Sequence, residues 1–176
     1  MNNLFQLILR EPYRNLQPAV QHFHEVRIGQ FTGKAEVKGA NGLLARMLRK
    51  LAGFPAPAAE TALTVKVIRS EVQERWLRNF GGTQFSSTLT RINRQNVLSE
   101  DFGMLRFNYN LSEREGGIHW QLVGWNFAGI PMPDSFGPDV LVRESVNADG
   151  NYQFHVLVEF PLIGVLMEYS GWLDCQ

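Results

Sequence analysis

Four polar side chains stand where the surrounding pattern calls for apolar ones. Arg78 lies between Trp76 and Phe80, Ser87 between Phe85 and Leu89, Glu100 between Leu98 and Phe102, and Glu144 between Val142 and Val146. Each triplet takes every second residue, and in a β-strand such residues share one face. A regular pleat therefore turns all four polar groups inward. A charge in an apolar interior is costly unless paired, so Arg78 is expected within reach of Glu100 or Glu144. An arginine and one or two carboxylates under apolar walls can hold the head group of an otherwise greasy ligand. Glu100 or Glu144 could instead serve as a base of shifted pKa, with Arg78 holding an anionic intermediate. The plainer alternative is an ion pair that only fixes strand register, or residues that reach water at a rim. Trp76, Phe107 and Tyr109 could stack on a flat ligand, although aromatic side chains at β period are more often core.

Other chemistry finds little support. His22 and His24 are two residues apart and cannot share a helix face, and ordinary surface or capping roles are expected of them. His155 alternates with Leu157 and Glu159 on what should be an outer face. No HExxH, cysteine cluster, phosphate-binding glycine loop or GxSxG elbow is present, so neither a metal nor a nucleotide cofactor is expected. Gly81-Gly82 and Gly116-Gly117 read as turn pairs.

These residues sit in a chain of short alternating segments. "LTVKVIR", "ERWLRNF", "TQFSSTLTR", "VLSEDF", "MLRFNYNL", "REGGIHWQLVGW", "VLVRESV", "YQFHVLVEF" and "VLMEYSGWL" all read as strands. Turn signals separate them, with Asp149-Gly150 marking the clearest hairpin. Some nine or ten strands without intervening crossover helices predict an antiparallel β-barrel or strongly curved sheet of calycin or lipocalin type. The opening "LFQLIL" and "QPAVQHFHEV" predict short N-terminal helices, the second starting at Pro18. From Val26 to Val37 the apolar parity slips by one residue, which predicts a β-bulge near Gly29.

One strongly amphipathic helix interrupts the strands at "GLLARMLRKLAGFP". At about 100° per residue, Arg46, Arg49 and Lys50 fill one sector while Leu43, Leu44, Met47, Leu48 and Leu51 face away. Gly53 and Pro55 end it. The safest expectation is a cap on one open barrel end, leucines on the core and cations in solvent. As a movable gate it would present Leu44, Met47, Leu48 and Leu51 to a ligand. A third reading lays it on an anionic membrane, leucine face down.

Length and composition suit a single domain over residues 1–176 with a substantial core. Seventeen basic and 17 acidic side chains cancel, which removes the electrostatic footprint of a nucleic-acid binder. No apolar run is long enough to span a bilayer as a helix, so integral membrane association is not expected. The sole cysteine, Cys175, allows no internal disulfide, and a reducing cytoplasm is the expected setting.

The segments "LQPAVQHFHE", "GKAEVKGANGLLARMLRKLAGFP", "ERWLRNFGGTQFSS", "EDFGMLRFNYNL", "GWNFAGIPMP" and "FPLIGVLMEYSGWL" give the chain an identity beyond its pattern. It resembles the bacterial domain of unknown function 4166 family, nearly end to end. Trp76-x-Arg78-x-Phe80-Gly81 and the ending from Tyr169 are the more specific parts. Gln17-Pro18 stands where the family pattern has Leu-Pro, a departure confined to a helix start. The family has no established activity, so no catalytic residue is carried over. Some relatives carry the domain behind a chain resembling saccharopine dehydrogenases. That resemblance implies an accessory role beside a separate dehydrogenase-like partner; as such an interaction domain, the chain would offer its own proline-punctuated loop "AGIPMPDSFGP" as a candidate docking segment. The reading that combines these observations is a binding protein for an apolar or amphiphilic, lipid-like small molecule. The alternatives are a non-catalytic accessory domain and a barrel-type enzyme.

Overall fold

The computed structural model describes residues 3–70, 72–92, 96–161 and 163–175, excepting the side chains of Leu51 and Ala52. Helix α1 (Leu4–Leu9), a 3-10 turn (Glu11–Asn15) and helix α2 (Pro18–Glu25) come first. The strands are β1 (Ile28–Lys38), β2 (Ala58–Arg69), β3 (Gln73–Phe80), β4 (Thr83–Ile92), β5 (Val97–Phe102), β6 (Leu105–Arg114), β7 (Gly117–Phe127), β8 (Ile130–Met132), β9 (Asp139–Val146), β10 (Tyr152–Phe160) and β11 (Gly164–Asp174). Helix α3 (Leu43–Ala52) separates β1 from β2, and a short 3-10 turn (Asp134–Phe136) precedes β9.

Nearly every strand pairs antiparallel with its neighbour in sequence, and β1 pairs with β11 to bring the two chain ends together. Pairing of β7 with β6 and with β9 completes a closed barrel of ten strands, while β8 hangs on the far end of β7. Closure leaves no long unpaired sheet edge. The seam between β1 and β11 is unusually close. A Cβ on Gly171 would stand 2.1 Å from the Lys34 carbonyl oxygen, so only glycine fits there.

The inward rows are the predicted ones: Trp76, Arg78 and Phe80 on β3; Phe85, Ser87 and Leu89 on β4; Phe107 and Tyr109 on β6. Two local expectations change. No bulge is needed near Gly29, because Val26 caps α2 and lies outside β1. The irregularity falls instead between Ala35 and Val37, where β2 carries the extra residue. The β6–β7 turn has Glu115-Gly116 at its tip, both at positive φ, while Gly117 belongs to β7.

The N-terminal helices plug one barrel end. Asn3 and Gln6 form a reciprocal capping box that starts α1. The Asn3 amide also donates to the His24 carbonyl, binding α1 to α2. Leu4, Phe5, Ile8, Leu9, Val20 and Phe23 are buried against the barrel floor, at about 1.5–3 kcal/mol for each side chain removed from water. Ridges of Phe5 and Phe23 meet Trp76, Trp120 and Tyr152.

Helix α3 lies at the opposite end; Arg46 and Lys50 are exposed as expected of a cap, but the leucine face is turned outward and Arg49 inward. Leu43, Leu44 and Met47 are exposed, Leu48 is half-buried on the core, and Ala45 and Arg49 are buried. The side chain of Leu51 lies outside the described residues. The reversal has a polar cause: Arg49 Nη1 donates to the Ala40 carbonyl at 2.8 Å, in space that any side chain on Gly39 would fill. Gly53, left-handed at φ 70°, ends the helix and sends Phe54 over the barrel mouth. There Phe54 meets Phe85 and Phe102 at 5.5 and 6.2 Å.

Candidate binding site in the barrel interior

The hairpin of β3 and β4 puts Arg78 beside Phe85 and Trp76 beside Ser87, and β5 brings Glu100 opposite Leu89. The three polar residues meet in the interior. The Ser87 hydroxyl donates to Glu100 Oε1 at 2.6 Å and accepts from Arg78 Nη1 at 2.8 Å. Arg78 Nη2 donates to the same carboxylate oxygen at 3.2 Å. Trp76 and Phe85 flank the guanidinium, 4.9 and 5.2 Å from its carbon, a cation–π arrangement that offsets part of its desolvation.

Glu144 reaches the same interior from β9 but takes a different partner. His24 Nε2 lies 2.6 Å from Glu144 Oε2, and both side chains are sealed from solvent. The surface or capping role expected of His24 is therefore corrected, while His22 does lie exposed. The reason is helical spacing. Val20, Phe23 and His24 occupy one face of α2, and that face is pressed into the barrel. Phe5 lies over the imidazole with ring centroids 3.7 Å apart.

Arg78, Glu100 and Glu144 line one cavity with Tyr109, Tyr152 and Tyr169, beneath walls of Trp76, Phe80, Phe107, Trp120 and Phe154. Its volume is about 50 Å³. A water needs about 10–15 Å³ by this measure, so the closed cavity has room for a few waters or a small head group. The aromatic side chains fill most of the interior, and a long acyl chain does not fit without their movement. Among the described residues none of the three tyrosine hydroxyls has a hydrogen-bond partner. Of the expected gate residues, Leu44 and Met47 point away from this space, and the cover at the mouth is Phe54.

Burial sets the electrostatics. It raises Glu100, and the Arg78 charge with the Ser87 and Arg78 hydrogen bonds pulls it back without cancelling the effect; nearby Glu144 adds to the rise. Burial works against the Arg78 charge, but the facing Tyr169 and Glu100 outweigh it and hold the guanidinium above its ordinary range. The pair is thus secure on its cationic side and strained on its anionic side. Burial also raises Tyr109 and Tyr152 well above 10.0 and Tyr169 to about 12.

A second buried pair was equally legible by parity and was not anticipated. Arg69 shares a row with Val65 and Val67, and Glu74 shares one with Trp76 and Arg78. Arg69 Nε donates to Glu74 Oε2 at 2.9 Å, Trp76 Nε1 donates to the same oxygen at 3.1 Å, and Arg69 Nη1 donates to the Val26 carbonyl. This cluster fastens α2 to the β2–β3 turn. Among the described residues no group of three His, Cys, Asp or Glu side chains could hold a metal ion. Cys175 is buried, its thiol pushed up to about 12, and offers no nucleophile at neutral pH.

Within the described residues no helix is long and apolar enough to cross a membrane. A search of curated proteins finds no match. A family profile described as "domain of unknown function (DUF4166)" matches residues 16–173, nearly the whole chain. With its polar cluster set in a closed antiparallel barrel, the chain belongs to the DUF4166 family.

Proposed function

We propose that the barrel binds a small amphiphilic molecule. Its polar end faces Arg78, Ser87, Glu100 and the tyrosine hydroxyls, and its apolar part lies along the aromatic wall toward Phe54. One observation carries the reading: three buried tyrosines whose hydroxyls have no hydrogen-bond partner among the described residues, and Trp120 with its buried, unpartnered Nε1, border the void that Arg78, Glu100 and Glu144 also line. Buried polar groups are nearly always satisfied, so this set calls for water or for a ligand that replaces it. A purely structural ion pair would need neither the void nor the hydroxyls. The volume sets the ligand class. The closed state has room for a small polar head, and the alkyl part of an amphiphile enters by displacing Phe54 from the mouth.

The test is a titration of the protein with short-chain alkyl carboxylates and alkylamines, followed by fluorescence of the interior tryptophans. Saturable binding that disappears in the double variant Arg78→Met/Glu100→Leu supports the reading. Saturable binding that the double variant retains, or no binding by any member of either series, counts against it.

A further inference from the structure

Six large exposed apolar side chains gather at one end of the barrel, while Ile28, Ile68 and Val72 lie at the other. β1 ends on the side where β2, β6, β8, β9 and β11 begin and where β3, β5 and β7 end, as antiparallel pairing requires. At that one end stand Leu43, Leu44 and Met47 on α3 (85%, 51% and 54% exposed), Met104 between β5 and β6, and Phe127 and Ile130 at the β7–β8 turn. A backbone hydrogen bond from Ala128 to Met104 joins the last two groups into one patch. All six stand at the end whose mouth Phe54 covers. Large apolar clusters of this kind mark interaction sites on soluble proteins.

The charges on α3 say what covers this ring. In projection Arg46 and Lys50 lie at one border of the outward sector, with Leu43, Met47 and Leu44 filling the rest. Both cations are exposed, and among the described residues neither has an ionic partner. Arg49, by contrast, is spent on the Ala40 carbonyl and holds the helix with its apolar face outward. A helix with leucines below and cations at the apolar border is the arrangement that lies in a lipid interface, acyl chains under the leucines and phosphates beside the cations. Of the carboxylates near this end, Glu36, Glu60 and Asp101 are paired with Lys38, Lys34 and Arg106, and Asp134, Asp139 and Glu159 belong to the β8–β10 side, so contact with an anionic surface is led by the cations of α3, unpaired among the described residues.

We propose that this end of the barrel docks on an anionic lipid bilayer, with α3 embedded in the interface and the mouth facing the lipid. The proposal stands apart from the cavity reading, since it concerns the outer surface and needs no ligand inside.

The experiment is co-sedimentation of the full chain with vesicles of phosphatidylcholine alone, and with a quarter of the lipid replaced by phosphatidylglycerol. The wild type is expected to pellet with the anionic vesicles, more weakly at high salt. Leu44→Glu/Met47→Glu should reduce binding by about tenfold or more, and Arg46→Glu/Lys50→Glu by several-fold. All four residues are exposed, so circular dichroism and thermal melting of both variants should match the wild type. Wild-type protein left in the supernatant overturns the proposal, as does binding that both variants retain. It is also overturned if sedimentation equilibrium finds a dimer that Leu44→Glu/Met47→Glu dissociates, since a second copy would then be what covers the patch.

Discussion

At Arg78 and Glu100, a guanidinium and a carboxylate 6% and 4% exposed share the hydroxyl of Ser87. Removing one member of such a pair strands the other. Glu100→Gln should therefore destabilise the barrel by about 3–5 kcal/mol, read by urea denaturation. Arg78→Met/Glu100→Leu removes both charges and should be close to neutral in the same assay. A double variant as unstable as the single one would show that the cluster serves the fold. The tyrosines give the corresponding pH prediction. The chain has four, and all are raised: Tyr13 and Tyr169 to about 12, Tyr109 and Tyr152 well above 10.0. Each binds its proton more tightly in the barrel than in the unfolded chain. Their contribution to stability is complete below the unfolded value near 10 and is lost as pH rises through the folded values. At about pH 11 the native protein should show little phenolate absorbance, while the chain in denaturant shows most of it. Early phenolate formation by a still-folded protein would mean that water reaches the hydroxyls freely.

Elements differ in how much of their placement the sequence discloses. Strand parity located Arg78, Ser87, Glu100 and Glu144 in the interior, because a residue on a barrel strand faces either in or out. The same rule would have found Arg69 and Glu74. His24 escaped because its signal is helical: Val20, Phe23 and His24 form one stripe on α2, and only the docked helix shows where that stripe goes. Helix α3 shows the limit. Amphipathicity separates two faces without saying which meets the barrel, and here a single hydrogen bond from Arg49 beside Gly39 decides it. The cover of the mouth is consequently Phe54, a residue of the loop after the helix. Phe54→Ala should cost about 3 kcal/mol and should speed release of a bound amphiphile in stopped-flow fluorescence. Unchanged release would move the gate elsewhere.

The whole molecule depends on one seam. Sequential hairpins can form one after another, but β1 and β11 meet only when both ends of the chain arrive, across Gly33 and Gly171. Gly171→Val would drive a side chain into the Lys34 carbonyl and should cost about 3 kcal/mol or more, whereas Gly42→Ala, at the N-cap of α3 with nothing within 4 Å, should stay within about 1 kcal/mol. Equal effects in denaturant unfolding would mean that the seam is looser than its geometry. Closure is also what brings Arg78, Glu100 and Glu144 from three separate strands into one lined space. The central claim concerns that space. Its most direct test is native mass spectrometry of protein purified without detergent, followed by solvent extraction. The account predicts a small amphiphile retained by the wild type, or taken up from an added short-chain series, and absent from Arg78→Met/Glu100→Leu. A bare chain mass that stays bare after incubation with those amphiphiles would contradict it.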